Sequence, residues 1–265
     1  ITTEEVTRIN SYSRAQMDQL LSDKQMLVLG FADVYRDDLY KYLKNKGYKD
    51  EEMKNSGLIR FDEKYGASDQ FWNRVMFPIV DTNNRVIGFG GRVMGDGKPK
   101  YINTQETPVF DKSRNLYGLN FAKKSKRPGI IFCEGYMDVI SMHQAGFDNA
   151  VASLGTALTP GQVNLIKRYT DRVYLAYDSD EAGTKAALRA LGIMREFEMP
   201  ARVISLKPYK DPDELIQAEG TESFERRIEQ AVSGTMFEIG ILEHNYNQED
   251  PQERTQFQKE AARIL

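Results

Sequence analysis

Three short acidic stretches hold most of the chemistry this sequence can do: E-G-Y-M-D (134–138), D-S-D-E-A-G (178–183) and D-P-D-E (211–214). The first two close strand-like runs, and the third lies just behind another. Two unit charges about 4 Å apart repel by roughly 4 kcal/mol at an effective dielectric near 20. A fold keeps such a cluster where something cationic normally sits. Oxygen-only donors suit Mg²⁺ or Mn²⁺ rather than zinc. Two such ions about 3.5–4 Å apart stabilise both the attacking and the leaving oxygen of an in-line displacement at phosphorus. The acids therefore point to metal, and the metal to phosphate.

Other readings of the same residues are weaker. An EF-hand loop beginning at Asp178 needs an oxygen ligand at its fifth position and Glu at its twelfth. Those positions are Ala182 and Arg189. A phosphatase with an aspartate nucleophile could use D-S-D but leaves Glu134 and D-P-D-E without a role. Helix capping stays open for Glu181 and for the D-P-D-E turn. His143 and His244 lie too far apart in the chain to read as a metal pair. Cys133, the single cysteine, reads as a small buried hydrophobe, and excludes an internal disulfide or a multi-cysteine zinc site in these residues.

The elements that must position these acids alternate regularly. Strands are expected at 129–134, 149–154, 171–177 and 201–206, and helices at 137–145, 159–169 and 181–191. Alternation of this kind predicts a parallel sheet with helices on its faces, whose ligands bind beyond the carboxyl ends of the strands. Neighbouring strands lie about 4.8 Å apart, so their end carboxylates can converge. Gly135 and Gly183 are expected to permit tight turns there, and Pro212 to hold Asp211 extended. From Asp213 onward the pattern is helical to the last residue.

Upstream, residues 1–60 read as helical and mixed, with a helix stop at Gly47. R-V-M-F-P-I-V (74–80) and R-V-I-G-F-G-G-R-V (85–93) are strands joined by the turn D-T-N-N, and Gly88, Gly90 and Gly91 suggest a bulge or a close backbone approach. K-P-K-Y-I-N-T-Q-E-T follows as a polar connection. K-K-S-K-R-P-G (123–129) reads as a linker between domains.

Across 265 residues, hydrophobic side chains make up 40% and charged ones 28%, the profile of a globular protein. No apolar run approaches the roughly 20 residues of a membrane span. Net charge is only −3, but it is unevenly spread. Residues 85–127 carry ten bases against Asp96, Glu106 and Asp111, whereas residues 211–265 carry thirteen acids against five bases. Any polyanion is expected near the first segment. The lack of an initiator Met, and an end inside a helical pattern, are expected of a piece of a longer protein in a reducing cytoplasm.

E-G-Y-M-D, D-S-D and D-P-D together resemble the metal-binding motifs of TOPRIM domains. N-R-V-M-F-P-I, G-F-G-G-R-V, P-K-Y-I-N-T-Q-E-T-P-V-F, L-Y-G-L and A-S-L-G-T-A-L-T are similar to the catalytic core of bacterial DnaG-type DNA primases, from about Leu29 to the end. The resemblance implies an α/β fold with an N-terminal α+β subdomain (1–127), a central TOPRIM parallel sheet flanked by helices (128–212) and a truncated C-terminal helical subdomain (213–265). It implies an RNA polymerase that joins ribonucleoside triphosphates into RNA primers on single-stranded DNA. Two or more Mg²⁺ or Mn²⁺ ions are expected on Glu134, Asp178, Asp180, Asp211 and Asp213. Glu134, Asp178 and Asp180 are expected to be catalytic, with Tyr136 and Asp138 beside Glu134. Arg74, Arg92, Lys100, Tyr101, Asn103 and Lys112 match a basic ridge for template and nucleotide phosphates. A zinc-binding domain upstream and a helicase-interacting domain downstream are implied but not contained in these residues. One departure stands out: Q-F-W-N-R replaces the arginines that commonly precede R-V-M-F-P-I. Two rival readings share the residues, a TOPRIM nuclease using water as nucleophile and a non-catalytic DNA-binding recombination module.

Overall fold

A computed structural model describes residues 30–265, so the helical reading of residues 1–29 lies outside the described residues. The chain forms two compact units, one of residues 30–120 with Ser153–Thr156, the other of Phe121–Ala152 with Ala157–Leu265.

The first unit is built on a four-stranded antiparallel sheet in the order β1-β4-β5-β6, of Gly30–Ala32, Arg74–Val80, Val86–Val93 and Tyr101–Asn103. The turn between β4 and β5 forms because Asp81 accepts from the amides of Asn83 and Arg85 while Asn84 takes φ 62°. Pro78 stands in β4 opposite Phe89 of β5. Both expected roles of the β5 glycines occur. Pairing slips between Ile79–Gly88 and Val80–Val86, a bulge, and a Cβ on Gly91 would lie 2.7 Å from the Phe71 ring and 3.0 Å from Cδ of Arg74. The residues read as a polar connection contain β6, which pairs through Arg92 and Tyr101.

Among the described residues this unit also holds two helices, α1 (Asp38–Asn45) and α2 (Asp50–Asn55), and the hairpin of β2 (Ile59–Asp62) and β3 (Gly66–Asp69), and Gly47 at φ 89° follows α1 as the stop signal requires. The N-terminus of α1 is capped from a distance. Asp69, nearly buried, accepts from the amides of Leu39 and Tyr40 at 2.9 Å.

In the second unit the order is β11-β10-β9-β7-β8. Strands β7 (Ile130–Cys133), β8 (Ala150–Ala152), β9 (Val173–Ala176) and β10 (Ala201–Val203) are parallel, as the alternation predicted. Every residue of β7, β8 and β9 is buried, which is why these strands read as unbroken apolar runs. Helices α4 (Tyr136–Gln144), α5 (Pro160–Ile166) and α6 (Glu181–Glu196) are the crossovers; the short α3 (Leu119–Ala122) precedes them at the junction of the units. Thr159 and Gln162 start α5 with a reciprocal capping box and Pro160 in its first turn.

The C-terminal stretch departs from the all-helical expectation. After α7 (Pro212–Glu219) and α8 (Thr221–Glu229), Val232–Ser233 form β11, antiparallel to β10, before α9 (Gly234–Glu243) and α10 (Pro251–Ile264). Residues 213–265 are therefore not separated from the sheet. Nor is 123–129 a loose linker. The Arg127 guanidinium pairs with Glu225 at 2.9 Å and stacks 4.4 Å from the Phe147 ring, so the junction falls at Asn120/Phe121 rather than 127/128.

Candidate active site

Glu134 follows β7, Asp178 and Asp180 follow β9, and Asp211 and Asp213 follow β10. These strands are parallel neighbours, so all five acids lie beyond one end of the sheet. Glu134 Oε1 accepts from the Asp178 amide at 3.0 Å. Ser179 holds the third stretch nearby, its amide donating to Lys210 O at 2.8 Å and its hydroxyl to Tyr209 O at 2.7 Å. Capping falls to Asp180 and to Asp211 of the D-P-D-E turn, whereas Glu181 pairs with Lys185. Asp180 Oδ1 accepts from the Gly183 amide and Asp211 Oδ1 from the Glu214 amide, each at 2.8 Å, placing each acid at a helix N-terminus. Asp211 is extended at φ −136° and ψ 171°, as Pro212 requires. Asp213 accepts from Gln217 at 2.9 Å. Tyr136 is buried in the first turn of α4, and Asp138 accepts from the Gly135 amide at 3.0 Å.

The two glycines serve differently from the tight turns expected. Gly135 has φ −141° and room for a side chain. Gly183 is a helical residue where a Cβ would lie 2.1 Å from Asp178 O and 2.9 Å from Glu134 Oε1. It admits close approach of helix to site.

Crowding shows in the titration of these groups. Burial first, then the Asp178 charge, raises the Glu134 carboxyl above its ordinary value. Burial also raises Asp178, opposed by the Lys210 ammonium 3.5 Å away. Asp138 is pushed up to about 7 by burial and by Asp211 and Asp178. Lys210, directly before D-P-D, is a site residue that sequence reading passed over; its position in K-D-P-D was the available signal.

Residues of the expected ridge divide into two groups. Arg74 and Arg92 are buried, at 5% and 9% exposure. Arg74 donates to the carbonyls of Gly91, Lys100 and Pro99 at 3.1, 3.4 and 3.0 Å, and Arg92 stands 5.7 Å from the Tyr101 ring opposite it. Arg74 thus braces strands rather than facing solvent. Lys100 is exposed and Lys112 half-buried. Asn103 donates to Leu154 O at 2.8 Å, holding the A-S-L-G-T loop. Where the arginine-poor Q-F-W-N-R stretch left charge missing, Arg36 lies 4.2 Å over the Trp72 ring. His143 Nε2 meets Ala150 O at 2.8 Å.

Comparison with known proteins places this geometry. Residues 8–123 match the family model "DNA primase catalytic core, N-terminal domain", and residues 131–216 match "Toprim-like". The catalytic core of Escherichia coli primase superposes with a TM-score of 0.79 at 33% identity, covering 99% of this chain and 88% of that one. The chain belongs to the DnaG-type DNA primase family. A DnaG primase catalytic domain solved bound to single-stranded DNA matches with a TM-score of 0.78 at 34% identity, over 97% of this chain and 84% of that one. The DNA primase of Clostridium acetobutylicum is 43% identical over 263 residues, 97% of this chain but 44% of that protein. The chain thus spans less than half the length of this relative.

Use of divalent metal is general to the Toprim domain of such primases, and the donor chemistry here fits it. All donors are carboxylate oxygens, and they repel one another. Among the described residues no three His, Cys, Asp or Glu side chains are gathered as a cage. The caps and the Gln217 bond engage one oxygen each of Asp180, Asp211 and Asp213. Mg²⁺ does not need a cage, since one or two carboxylates with water complete its shell.

A stability test follows. Glu134, Asp138 and Asp178 titrate above their unfolded values, so the stabilisation they give is full below about pH 4 and is lost as pH rises through the folded values, about 7 for Asp138. In chelator at pH 8, Asp178→Asn with Asp180→Asn should raise Tm by roughly 2–4 °C, the span about 1 kcal/mol covers in a chain of this size. Asn keeps the Asp180 cap. The rise in Tm on adding Mg²⁺ should shrink. An undiminished metal response in calorimetry would remove D-S-D from the metal site.

Proposed function

We propose that this chain is the RNA polymerase core of a replication primase, joining ribonucleoside triphosphates into short RNA primers on a single-stranded DNA template. The observation that carries this reading is the set of five carboxylates beyond β7, β9 and β10, in a chain of the primase family. We assign metal binding to Glu134, Asp178, Asp180, Asp211 and Asp213, and the catalytic part to Glu134, Asp178 and Asp180. The primer 3′-hydroxyl attacks the α-phosphate, its new P–O bond forms as the bond to the bridging oxygen breaks, and pyrophosphate leaves. When bound by these carboxylates, two or more Mg²⁺ or Mn²⁺ ions would offset the charge that develops, and no zinc is assigned to these residues. The Asp178 amide fixes Glu134, and Lys210 steadies Asp178. Tyr136 and Asp138 support the start of α4 beside Glu134.

The helicase contact and zinc-binding domain that the family resemblance implies are assigned to other parts of a longer protein. A cytoplasmic location belongs to the same reading; no described helix is long and apolar enough to cross a membrane. The deciding assay combines labelled ribonucleotides, single-stranded DNA and Mg²⁺ or Mn²⁺. Template-dependent RNA is the expected product. Shortened DNA would assign a nuclease instead, and neither product would leave a DNA-binding module.

Template contact has its own test. Each phosphate contact to a single strand contributes about −0.7 to the slope of log affinity against log salt. Lys100→Ala should flatten that slope by about one such step and weaken all sequences alike. Arg226→Ala, on the exposed face of α8, should not. Equal shifts in fluorescence titrations of both variants would remove Lys100 from the template path.

A further inference from the structure

The second unit carries a cleft away from its carboxylates. It is about 700 Å³, within the range of small-molecule sites, and lies between the last turn of α6, the first residues of β10 and the start of α9. Arg172, immediately before β9, and Ala201, which opens β10, line it, so it sits at the amino ends of the strands whose carboxyl ends lead to the acids. Ser233 pairs with Arg202 across the strands and brings α9 alongside.

Charge distinguishes this cleft. Arg172, Arg195 and Arg202 line it, with Glu198 the single acid among the lining residues. Arg195 is held by Glu238. Among the described residues, Arg172 and Arg202 form no ion pair, and both are exposed; Arg172 is engaged by the Tyr174 hydroxyl, a neutral partner. Two guanidiniums that form no ion pair among the described residues therefore stand at one opening, with Glu198 in the lining and Asp171 beside Arg172 as the nearby acids. The floor is apolar: Leu191, Met194 and Met199 are buried, and Gly234 lets α9 begin against Leu191, where a Cβ would lie 2.6 Å from its Cδ2. Planar, permanently charged forks beside an apolar floor suit phosphate oxygens, which they can bind in bidentate fashion.

We propose that this cleft binds the phosphate groups of a small oligophosphate ligand, through Arg172 and Arg202, at a place separate from the carboxylate site. Inorganic tripolyphosphate and ATP share the chemistry, and an experiment separates them. Calorimetric titration of the protein in EDTA removes the metal on which triphosphate binding at the carboxylates would depend. Wild type should bind tripolyphosphate saturably at one site, Arg172→Ala with Arg202→Ala should weaken it at least tenfold, and Arg226→Ala should leave it unchanged. Arg202→Ala alone, which leaves Arg172 and its Tyr174 contact in place, should show an intermediate loss and guards against a folding defect. ATP tighter than tripolyphosphate would identify a nucleotide as the occupant, and equal affinity a free oligophosphate. Absent saturable binding by wild type, or equal binding by the double variant, would overturn the proposal. Because the readout is binding without metal, it stands or falls independently of polymerase activity.

Discussion

Glu134→Gln is expected to abolish primer synthesis, by about 10²–10³-fold or more, the scale of removing one preorganised charge-stabilising group. The loss should be clean. Glutamine matches glutamate in size, and its oxygen can still accept from the Asp178 amide that glutamate engages at 3.0 Å. What disappears is one negative charge from a group of mutually repelling carboxylates. Fold and single-strand affinity should therefore stay near wild type, and Tm in chelator should not fall. Single-turnover incorporation under saturating Mg²⁺ is the measurement; a wild-type rate would show that Glu134 is not the catalytic carboxylate.

Gly183→Ala should be the most damaging small substitution in the second unit. The added methyl would lie 2.1 Å from Asp178 O and 2.9 Å from Glu134 Oε1. A backbone carbonyl cannot swing away as a side-chain tip can, so α6 or the D-S-D turn must move. Overpacking of this kind costs about 1–3 kcal/mol and occasionally more. Polymerase activity should fall together with Tm, because the displaced groups are the site itself. Gly192→Ala, where a Cβ meets nothing within 4 Å, is the matched control in the same helix and should be neutral or slightly stabilising. If the two variants melted together, the close approach at Gly183 would not be limiting.

Much of the parallel sheet was legible because its strands are buried on both faces and so read as apolar runs of fixed spacing. The acids were legible because they break those runs abruptly. Charge counting failed where space decided the outcome. Arg92 belongs to a basic segment by composition, and Arg74 to the ridge that the family resemblance implies. Yet Gly91 opens the room that the Arg74 stem fills, and the carbonyls of Gly91, Pro99 and Lys100 take its guanidinium. Asp69 gave no local signal, since the helix it caps begins some thirty residues earlier in the chain. Strand β11 was invisible for another reason. Two residues are too few to show a period, and only their pairing with β10 makes them a strand.

That pairing has a consequence for how the chain is made. Synthesis delivers β7, β9 and β10 well before Val232 and Ser233. Until those two residues emerge, one side of β10 offers free amides and carbonyls, an open invitation to a neighbouring nascent chain. Closure needs little, because β10 is only three residues long. The helices α7 and α8 are in effect the tether that times it: shortening them would bring the closing residues sooner, and halting translation between Glu229 and Ser233 would leave that side of β10 open.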